Sequence, residues 1–461
     1  MSTINLTFEN NSGFDATDIY VGFVGGSGGT AFSVTNTATG AALALVDGGV
    51  SSFPATGNWY TLDSLSSGAT VTSFSGRVYV CYGSPWAVQY TGYEPGQAVT
   101  DPNFFLRYDK MEMTFTGAPA DVANLTSIDY WAVPMSLETS KAGKSVQTVS
   151  GLVGKTTAQD VFDKLNKLTT PPVSGVAGPG GTDGSPLPAL VPGAFTQYPG
   201  GPAPGTSFAR IIGPSSYPSV YPNVGIPVMP YDTLEEYLKW LRHNYGKATK
   251  RGVVVKTLGK GVAGYIVGEF AGVGPNVPAS GPQSRQSYNY AAFIEDNLDI
   301  CLRELEIDLV EGADVNEDGN TILFKRDDLL NPSGIYGGNT PFYLNGASTP
   351  TAPANDVYGW IGGDLFSGMN IGALGSQAKV DGKVVGAMHS QDWFKLPVSG
   401  FYGGLQKGTE NYNQWSAALA ELSDAYNFAY SDRFAHVFAS LDAQRIDTLT
   451  LKLEDAAVQM P

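Results

Sequence analysis

The chain has 461 residues, of which 43 are acidic and 27 basic, giving a formal charge of −16. Such an acidic protein repels the phosphates of nucleic acids and of anionic membranes, so neither is expected as a partner, whereas a neutral polysaccharide is compatible with this charge. Two cysteines, Cys81 and Cys301, are too few for a disulfide framework or a metal cluster, and a single bridge between them stays open.

Residues 1–150 are predicted to form a β-domain. β-branched and aromatic runs separated by turn residues occur at 4–8, 18–24, 58–62, 76–82, 110–115 and 128–133. Many short strands of this kind are typical of a sandwich or barrel. The tail, 445–455, alternates again, with Leu449, Leu451 and Leu453 on one face, so residues 425–461 are predicted to return to the same sheet system.

Residues 151–424 are then predicted to be a mixed α/β lobe inserted into the β-domain. Thr157 can cap its first helix, and Asp232, with Glu235 three residues further on, can cap a second. Two further helices are predicted at 287–309 and from 409 to at least 422. Strands are predicted at 252–259 and 264–272, and another pair around an Asp-Gly turn in 308–327.

A segment rich in proline and glycine, 171–207, lies inside this lobe. Its composition argues against any regular element and indicates a linker or a long surface loop. So long a segment needs a surface to pack against, in its own domain or in a neighbouring subunit, which leaves a homo-oligomer or larger assembly open.

The first ten residues, MSTINLTFEN, lack the basic and then apolar run of a signal peptide. Either the numbering starts at the mature protein or export uses another route. The low cysteine count fits an exported bacterial protein and a cytoplasmic one equally well. No apolar stretch is long enough for a transmembrane helix.

Two carboxylates form the candidate site. Glu112 alternates with hydrophobic residues in 110–115, and Asp129 shares a face with Trp131 in 128–133. If these two strands are near neighbours in one sheet, both carboxylates face one cleft beside an aromatic ring, an arrangement that suits glycosidic bond cleavage. The alternative is that Glu112 is a solvated strand residue paired with Lys110 or with a cross-strand neighbour.

The same stretch, FFLRYDKMEMTF followed by NLTSIDYWAVPM, resembles the catalytic stretch of glycoside hydrolase family 64, the laminaripentaose-producing β-1,3-glucanases of the thaumatin-like superfamily. Other segments resemble the family in the same order, at 74–83, 206–218, 229–246, 355–368 and 426–438. The resemblance implies a mainly β protein: a thaumatin-like β-sandwich or barrel domain plus an inserted mixed α/β domain, with a wide groove between them.

The resemblance also implies an inverting hydrolase that cuts β-1,3-glucan to short oligosaccharides, with Glu112 as general acid and Asp129 as general base. Trp131, Tyr130 and Trp86 are candidate stacking faces for glucose rings. Arg77 and Asp432 are further candidates for substrate binding. The family's usual Tyr-Asp-Asp is here Tyr430, Ser431 and Asp432, so one acidic position is lost.

No metal or cofactor is expected. The three histidines are scattered without zinc spacing, and the EF-hand-like start at Asp314 has Lys325 where a bidentate glutamate belongs. Two other functions stay open on the same fold, namely a non-catalytic glucan-binding module and a structural or self-assembling protein.

Overall fold

The computed structural model describes residues 2–25, 32–46, 58–86, 101, 103–168, 190–193, 207–216, 233–246, 253–257, 288–304, 319, 321–352, 357–431, 434 and 437–459. The chain divides into two compact units. The first comprises Met1–Val224, Ala418–Asn427 and Ala435–Pro461, and the second comprises Gly225–Ala417 and Phe428–Phe434.

The first unit is built mainly from strands. In its N-terminal part these are β1 (Ile4–Asn10), β2 (Ile19–Gly25), β3 (Ser33–Asn36), β4 (Trp59–Thr61), β5 (Ala69–Tyr82), β6 (Arg107–Phe115), β7 (Val122–Leu125), β8 (Tyr130–Trp131), β9 (Met135–Lys141) and β10 (Lys144–Val149). Helix α1 (Ala158–Asn166) and strands β11 (Leu190–Gly193) and β12 (Ser207–Ile212) follow.

The second unit is mixed. Its strands are β13 (Val253–Thr257), β14 (Tyr288–Ile294), β15 (Ile300–Glu304), β16 (Thr321–Phe324), β17 (Tyr343–Leu344), β18 (Lys379–Val380) and β19 (Lys383–Val384). Its helices are α2 (Thr233–Tyr245), α3 (Arg326–Leu329), α4 (Val357–Ile371), α5 (Ser390–Trp393) and α6 (Gln414–Leu419). Strands β13 to β17 form one sheet in sequence order, and β18 and β19 form a separate pair.

The chain then returns to the first unit as β20 (Phe438–Ser440) and β21 (Thr448–Leu453). Among the described residues, the large sheet has the path β10-β9-β21-β1-β5-β6-β7-β20, with β2 and β3 also paired to β5. The last strand, β21, is central, because it pairs in parallel with β1 and antiparallel with β9. Leu449, Leu451 and Leu453, which were predicted to share one face, are fully buried.

The core of the first unit lies beneath β5 and β6, where aliphatic residues are joined by a cluster of buried aromatic rings, namely Tyr79, Trp86, Tyr108 and Tyr130. The predicted mainly β fold with a mixed α/β part is confirmed. None of the helices that the structure describes has both the length and the hydrophobicity of a membrane-spanning segment. Cys81 and Cys301 are not joined by a disulfide.

Two predicted helices are corrected. Within the stretch 287–309, the described residues 288–304 form strands β14 and β15 around a short turn, and Ile300, Leu302 and Glu304 alternate with less buried neighbours. The helix predicted from 409 to at least 422 is α6, which ends at Leu419. There the backbone leaves the helix, and the Leu422 carbonyl accepts a hydrogen bond from the Val153 N–H at 2.9 Å.

The helix capped by Thr157 is confirmed, including a full capping box with Asp160. Inside the segment rich in proline and glycine, Leu190–Gly193 does form a strand, β11, because it pairs with β12. The rest of that segment up to residue 206 lies outside the described residues, as do Asp232 and the predicted strands at 264–272 and 308–318.

The two units do not have the boundaries of the predicted domains. Helix α1 and strands β11 and β12 belong to the first unit, whereas residues 151–424 were predicted to form the inserted lobe. The reason is long-range pairing, since Ile211 and Ile212 of β12 pair with Trp131 and Tyr130 of β8. At the other end, residues 418–424 belong to the first unit and 428–434 to the second. As a division into folding domains, the predicted boundaries stay a prediction.

Candidate active site

Glu112 lies near the middle of β6, with a paired strand on each side. Its cross-strand partners are Arg77 on β5 and Asn124 on β7. The condition that 110–115 and 128–133 are near neighbours in one sheet is not met, because β7 is the neighbour of β6, and β8 pairs with β12 in a separate three-stranded sheet. Asp129 is linked to β6 instead through the side chain of Lys110.

The carboxylate of Glu112 opens onto a cleft of about 270 Å³. Arg77 Nε donates a hydrogen bond to Glu112 Oε1 at 2.8 Å, and the two side chains remain 20% and 35% exposed. Thr114, Ser75 and Asn124 add polar groups to the same cleft. This volume is near the lower end of the range for ligand pockets, about 300–1,000 Å³, so the cleft can hold part of a larger polar ligand.

Asp129 lies immediately before β8 and is held from two directions. Lys110 Nζ, from β6, donates to Asp129 Oδ2 at 2.9 Å. Ser215 Oγ, from the turn after β12, lies 2.9 Å from Asp129 Oδ1. The backbone carbonyl of Asp129 accepts a hydrogen bond from the Gly213 N–H at 2.7 Å. Both carboxylate oxygens and the backbone are thus fixed by residues distant in sequence.

Opposing effects set the charge of Asp129. Burial alone raises the pKa of its carboxyl, but the Lys110 ammonium, the hydrogen bonds from Lys110 and Ser215, and the Arg77 guanidinium together hold that pKa below its ordinary value. Arg77 therefore acts on Asp129 as well as contacting Glu112. Arg77 is thus the residue that links the two predicted catalytic carboxylates, by an ion pair with Glu112 and by its charge at Asp129.

The predicted stacking faces are corrected. Trp131 is 3% exposed, and Tyr130 and Trp86 are each 1% exposed. Trp131 packs against Phe208, Trp86 packs against Tyr79, and Tyr130 lies beneath Lys110. These aromatic rings are buried because they fill the core of the first unit, so none of the three offers an open face to a sugar. Asp432 lies outside the described residues.

Lys110 and Ser215 are functional candidates that the sequence analysis missed. Lys110 was considered only as a partner for Glu112, although the alternation of 110–115 already placed it on the same strand face. Ser215 falls in a segment that resembles the family, 206–218, but nothing local indicates its contact with Asp129, which is 86 residues away.

Comparison with known families supports the predicted resemblance. Residues 2–202 match the family model of glycoside hydrolase family 64, described as β-1,3-glucanase. The match includes Arg77, Lys110, Glu112 and Asp129. The resemblance to this family is confirmed over residues 2–202. No curated protein sequence matches the chain.

Two solved structures are similar to this chain over nearly its whole length. One is a laminaripentaose-producing β-1,3-glucanase in complex with laminaritetraose, with 16% identity and a TM-score of 0.54, covering 99% of this chain and 100% of that chain. The other is a family 64 β-1,3-glucanase domain from Clostridium beijerinckii, with 13% identity and a TM-score of 0.53, covering 98% of each chain. At these identities the likeness shows a shared fold.

Proposed function

We propose that this chain, with its family 64 match over residues 2–202, is an inverting β-1,3-glucan hydrolase that releases short laminari-oligosaccharides. The observation that supports the proposal is the role of Arg77, which contacts the half-exposed Glu112 in the cleft and, together with Lys110, lowers the pKa of Asp129. A similar structure was solved with laminaritetraose, a β-1,3-linked glucan oligomer, which supports this substrate class.

The proposed reaction uses the two carboxyls differently. Glu112 donates a proton to the departing glycosidic oxygen, and Asp129 removes a proton from the water that attacks the sugar from the opposite face. Inverting enzymes separate these groups by roughly 6.5–9.5 Å to leave room for that water. Lys110 and Glu112 are two residues apart on β6, about 7 Å along the strand, so a carboxylate bound to Lys110 suits such a spacing.

Arg77 remains our candidate for substrate binding, because its guanidinium lines the cleft that contains Glu112. With five donors and a planar shape, a guanidinium can contact sugar hydroxyls while still facing the carboxylate. We also propose that the enzyme acts outside the cell, since a glucan polymer is too large to be taken up intact. The homo-oligomer suggested by residues 171–207 stays a prediction that light scattering can measure.

The test is release of reducing ends from laminarin or curdlan. We expect activity in the purified protein, products with inverted anomeric configuration by NMR, and a loss of at least about 100-fold in Glu112→Gln and in Asp129→Asn, as for removal of a general acid or base. Glu138→Gln is the matched control, because Glu138 pairs with Lys452 on strands away from the cleft. Full activity in Glu112→Gln would show that the assignment is wrong.

A non-catalytic glucan-binding module is the second candidate. One observation favours it, namely that Arg77 engages Glu112 at 2.8 Å, and an ion pair of this kind can be purely structural. Such a module would sediment with curdlan, release no sugar, and bind equally well after Glu112→Gln. A curdlan pull-down performed beside the activity assay separates the two functions.

A further inference from the structure

Lys110 is buried to an extent unusual for its residue type. Its side chain is 1% exposed, and its ammonium lies 2.9 Å from Asp129 Oδ2 and 4.5 Å from the centre of the Tyr130 ring. Removing an ammonium from water costs several kcal/mol, and a buried ion pair often stabilises a fold no better than apolar residues do. Stability alone therefore gives little reason for a lysine at this position.

The ring beneath the ammonium is itself fixed. Tyr130 packs edge-on against Tyr108 at 5.6 Å, and the Arg210 guanidinium lies 5.4 Å from the Tyr130 ring centre. Arg210 is fully buried and donates to the Tyr108 hydroxyl at 2.8 Å. Attraction between cations and aromatic faces adds to the packing, so the surface on which Lys110 lies has little freedom to move.

The opposite side of Asp129 is fixed by the turn after β12. Ser215 Oγ lies 2.9 Å from Asp129 Oδ1 and 3.0 Å from the Ile128 carbonyl, and its single hydrogen can be donated to either acceptor. A carboxylate held at both oxygens has a defined plane, and its remaining lone pairs point in defined directions. A general base needs this orientation, because the proton that it removes must lie within hydrogen-bonding reach.

We propose that Lys110 is the positioning residue of the Asp129 base, which it keeps ionised and oriented toward the attacking water. The inference rests on the proposed function. In the reaction the water loses one proton to Asp129, its oxygen bonds to the anomeric carbon, and the bond to the leaving oxygen breaks as that oxygen takes the proton of Glu112. Lys110 exchanges no proton and does not contact the sugar.

The charged groups that act on Asp129 come from two strands. Lys110 reaches it from β6 and Arg77 from β5, while Asp109 is coupled electrostatically to Lys110. Of these groups, Lys110 is the one in direct contact with a carboxylate oxygen of Asp129. Its removal should therefore make the base easier to protonate and shift the acidic side of the pH–activity profile upward.

The test compares the pH dependence of kcat/KM for a soluble laminari-oligosaccharide in the wild type, Lys110→Met and Lys110→Arg. In Lys110→Met we expect the acidic limb to move to higher pH, with a loss of at least about tenfold at the acidic end that shrinks as the pH rises, since one pH unit corresponds to a tenfold change. The loss should fall on kcat, with KM nearly unchanged. Lys110→Arg, which keeps the charge, should restore most of the profile.

Lys452→Met is the control, because it removes another lysine–carboxylate pair: Lys452 Nζ lies 2.6 Å from Glu138 Oε2, on strands away from Asp129. It should leave the profile unchanged. An acidic limb that stays in place in Lys110→Met, with only the melting temperature lowered, would overturn the inference. If Lys110→Met does not fold, Ser215→Ala replaces it and should move the limb in the same direction by less; an unmoved limb there overturns the inference equally.

Failure of the proposed function is a different result. In that case the wild type releases no sugar, or Asp129→Asn is as active as the wild type. If the wild type is active and Asp129→Asn is not, but the acidic limb of the pH profile is the same in Lys110→Met as in the wild type, only the positioning role of Lys110 is overturned.

Discussion

Asp109, the residue before Lys110, gives a prediction about stability that does not depend on catalysis. Its side chain is buried, and three backbone N–H groups donate to it, those of Lys110 at 2.9 Å, Ala132 at 2.9 Å and Val133 at 3.1 Å. Burial outweighs these donors and the nearby Lys110 ammonium, and it raises the pKa of Asp109 from 3.8 to about 7.

The sign of the pH effect follows from that direction. Between pH 3.8 and about 7 the folded protein holds a proton on Asp109 that the unfolded chain has lost, so the free energy of unfolding falls as the pH rises. The slope from this group is about 1.4 kcal/mol per pH unit, and over the whole window the loss is about 4 kcal/mol.

The perturbation is Asp109→Asn, which cannot titrate. Its amide keeps one acceptor oxygen but turns an NH₂ group toward at least one backbone N–H, which costs about 1–3 kcal/mol at every pH. Wild type should therefore be the more stable protein near pH 4.5, and its advantage should shrink or reverse by pH 7.5. The free energy of unfolding of both proteins is measured by urea titration at four pH values. Tryptophan fluorescence detects the unfolding, and Trp59, Trp86 and Trp131 report on the first unit.

The result that would refute this reasoning is a difference between the two proteins that stays constant from pH 4.5 to 7.5. Asp109 would then be ionised throughout, and the three backbone donors together with Lys110 would outweigh burial.

Two further predictions concern backbone geometry. In Gly213→Ala the new Cβ lies 2.4 Å from the Ile128 carbonyl oxygen and 3.0 Å from the Asp129 carbonyl carbon. We therefore expect a loss of about 1–3 kcal/mol in the free energy of unfolding, measured with urea, and a lower rate of sugar release. Gly400→Ala is the control and should change neither quantity, because its nearest contact is 3.9 Å away. Thr157→Ala removes the capping box of α1 and should lower the free energy of unfolding by about 1 kcal/mol, and Thr157→Ser should retain most of it; equal losses in both variants would argue against the cap.

Local patterns were enough to predict several strands of the first unit. The runs at 4–8, 76–82, 110–115 and 445–455 correspond to β1, β5, β6 and β21. Strand β21 alternates because one of its faces is buried, whereas residues 78–82 of β5 are β-branched, aromatic and cysteine residues that are all buried. The cap at Thr157 was also predictable, since a capping box involves residues only three positions apart.

The errors arose where distant parts of the chain decide the structure. The stretch 287–309 was assigned as one helix because apolar residues recur through it, yet β13 and β16 pair on either side of β14 and β15 and impose the strand conformation. Trp131 was predicted to be a stacking face because it shares a strand face with Asp129, but Phe208 of β12 packs against its ring. Sequence patterns do not report which strand packs where.

The site residues stay a prediction. The motif resemblance assigned Glu112, Asp129 and Arg77, and in the structure Arg77 contacts Glu112 and acts electrostatically on Asp129. Their connection through Lys110 and Ser215 depends on contacts over 19 and 86 residues, which no local pattern encodes.

The position of β21 has a consequence for synthesis. Thr7 of β1 meets Thr450 of β21 across 443 residues, and β21 also supplies the partner of β9. At about 5–20 residues per second, a ribosome needs roughly 20–90 s to make the chain between these two threonines. During that time one edge of β1 and one edge of β9 have no partner, and the whole second unit is synthesised before β21. The first unit to start is therefore the last to finish, and its open strand edges are a natural substrate for chaperones that shield nascent β-sheets from aggregation.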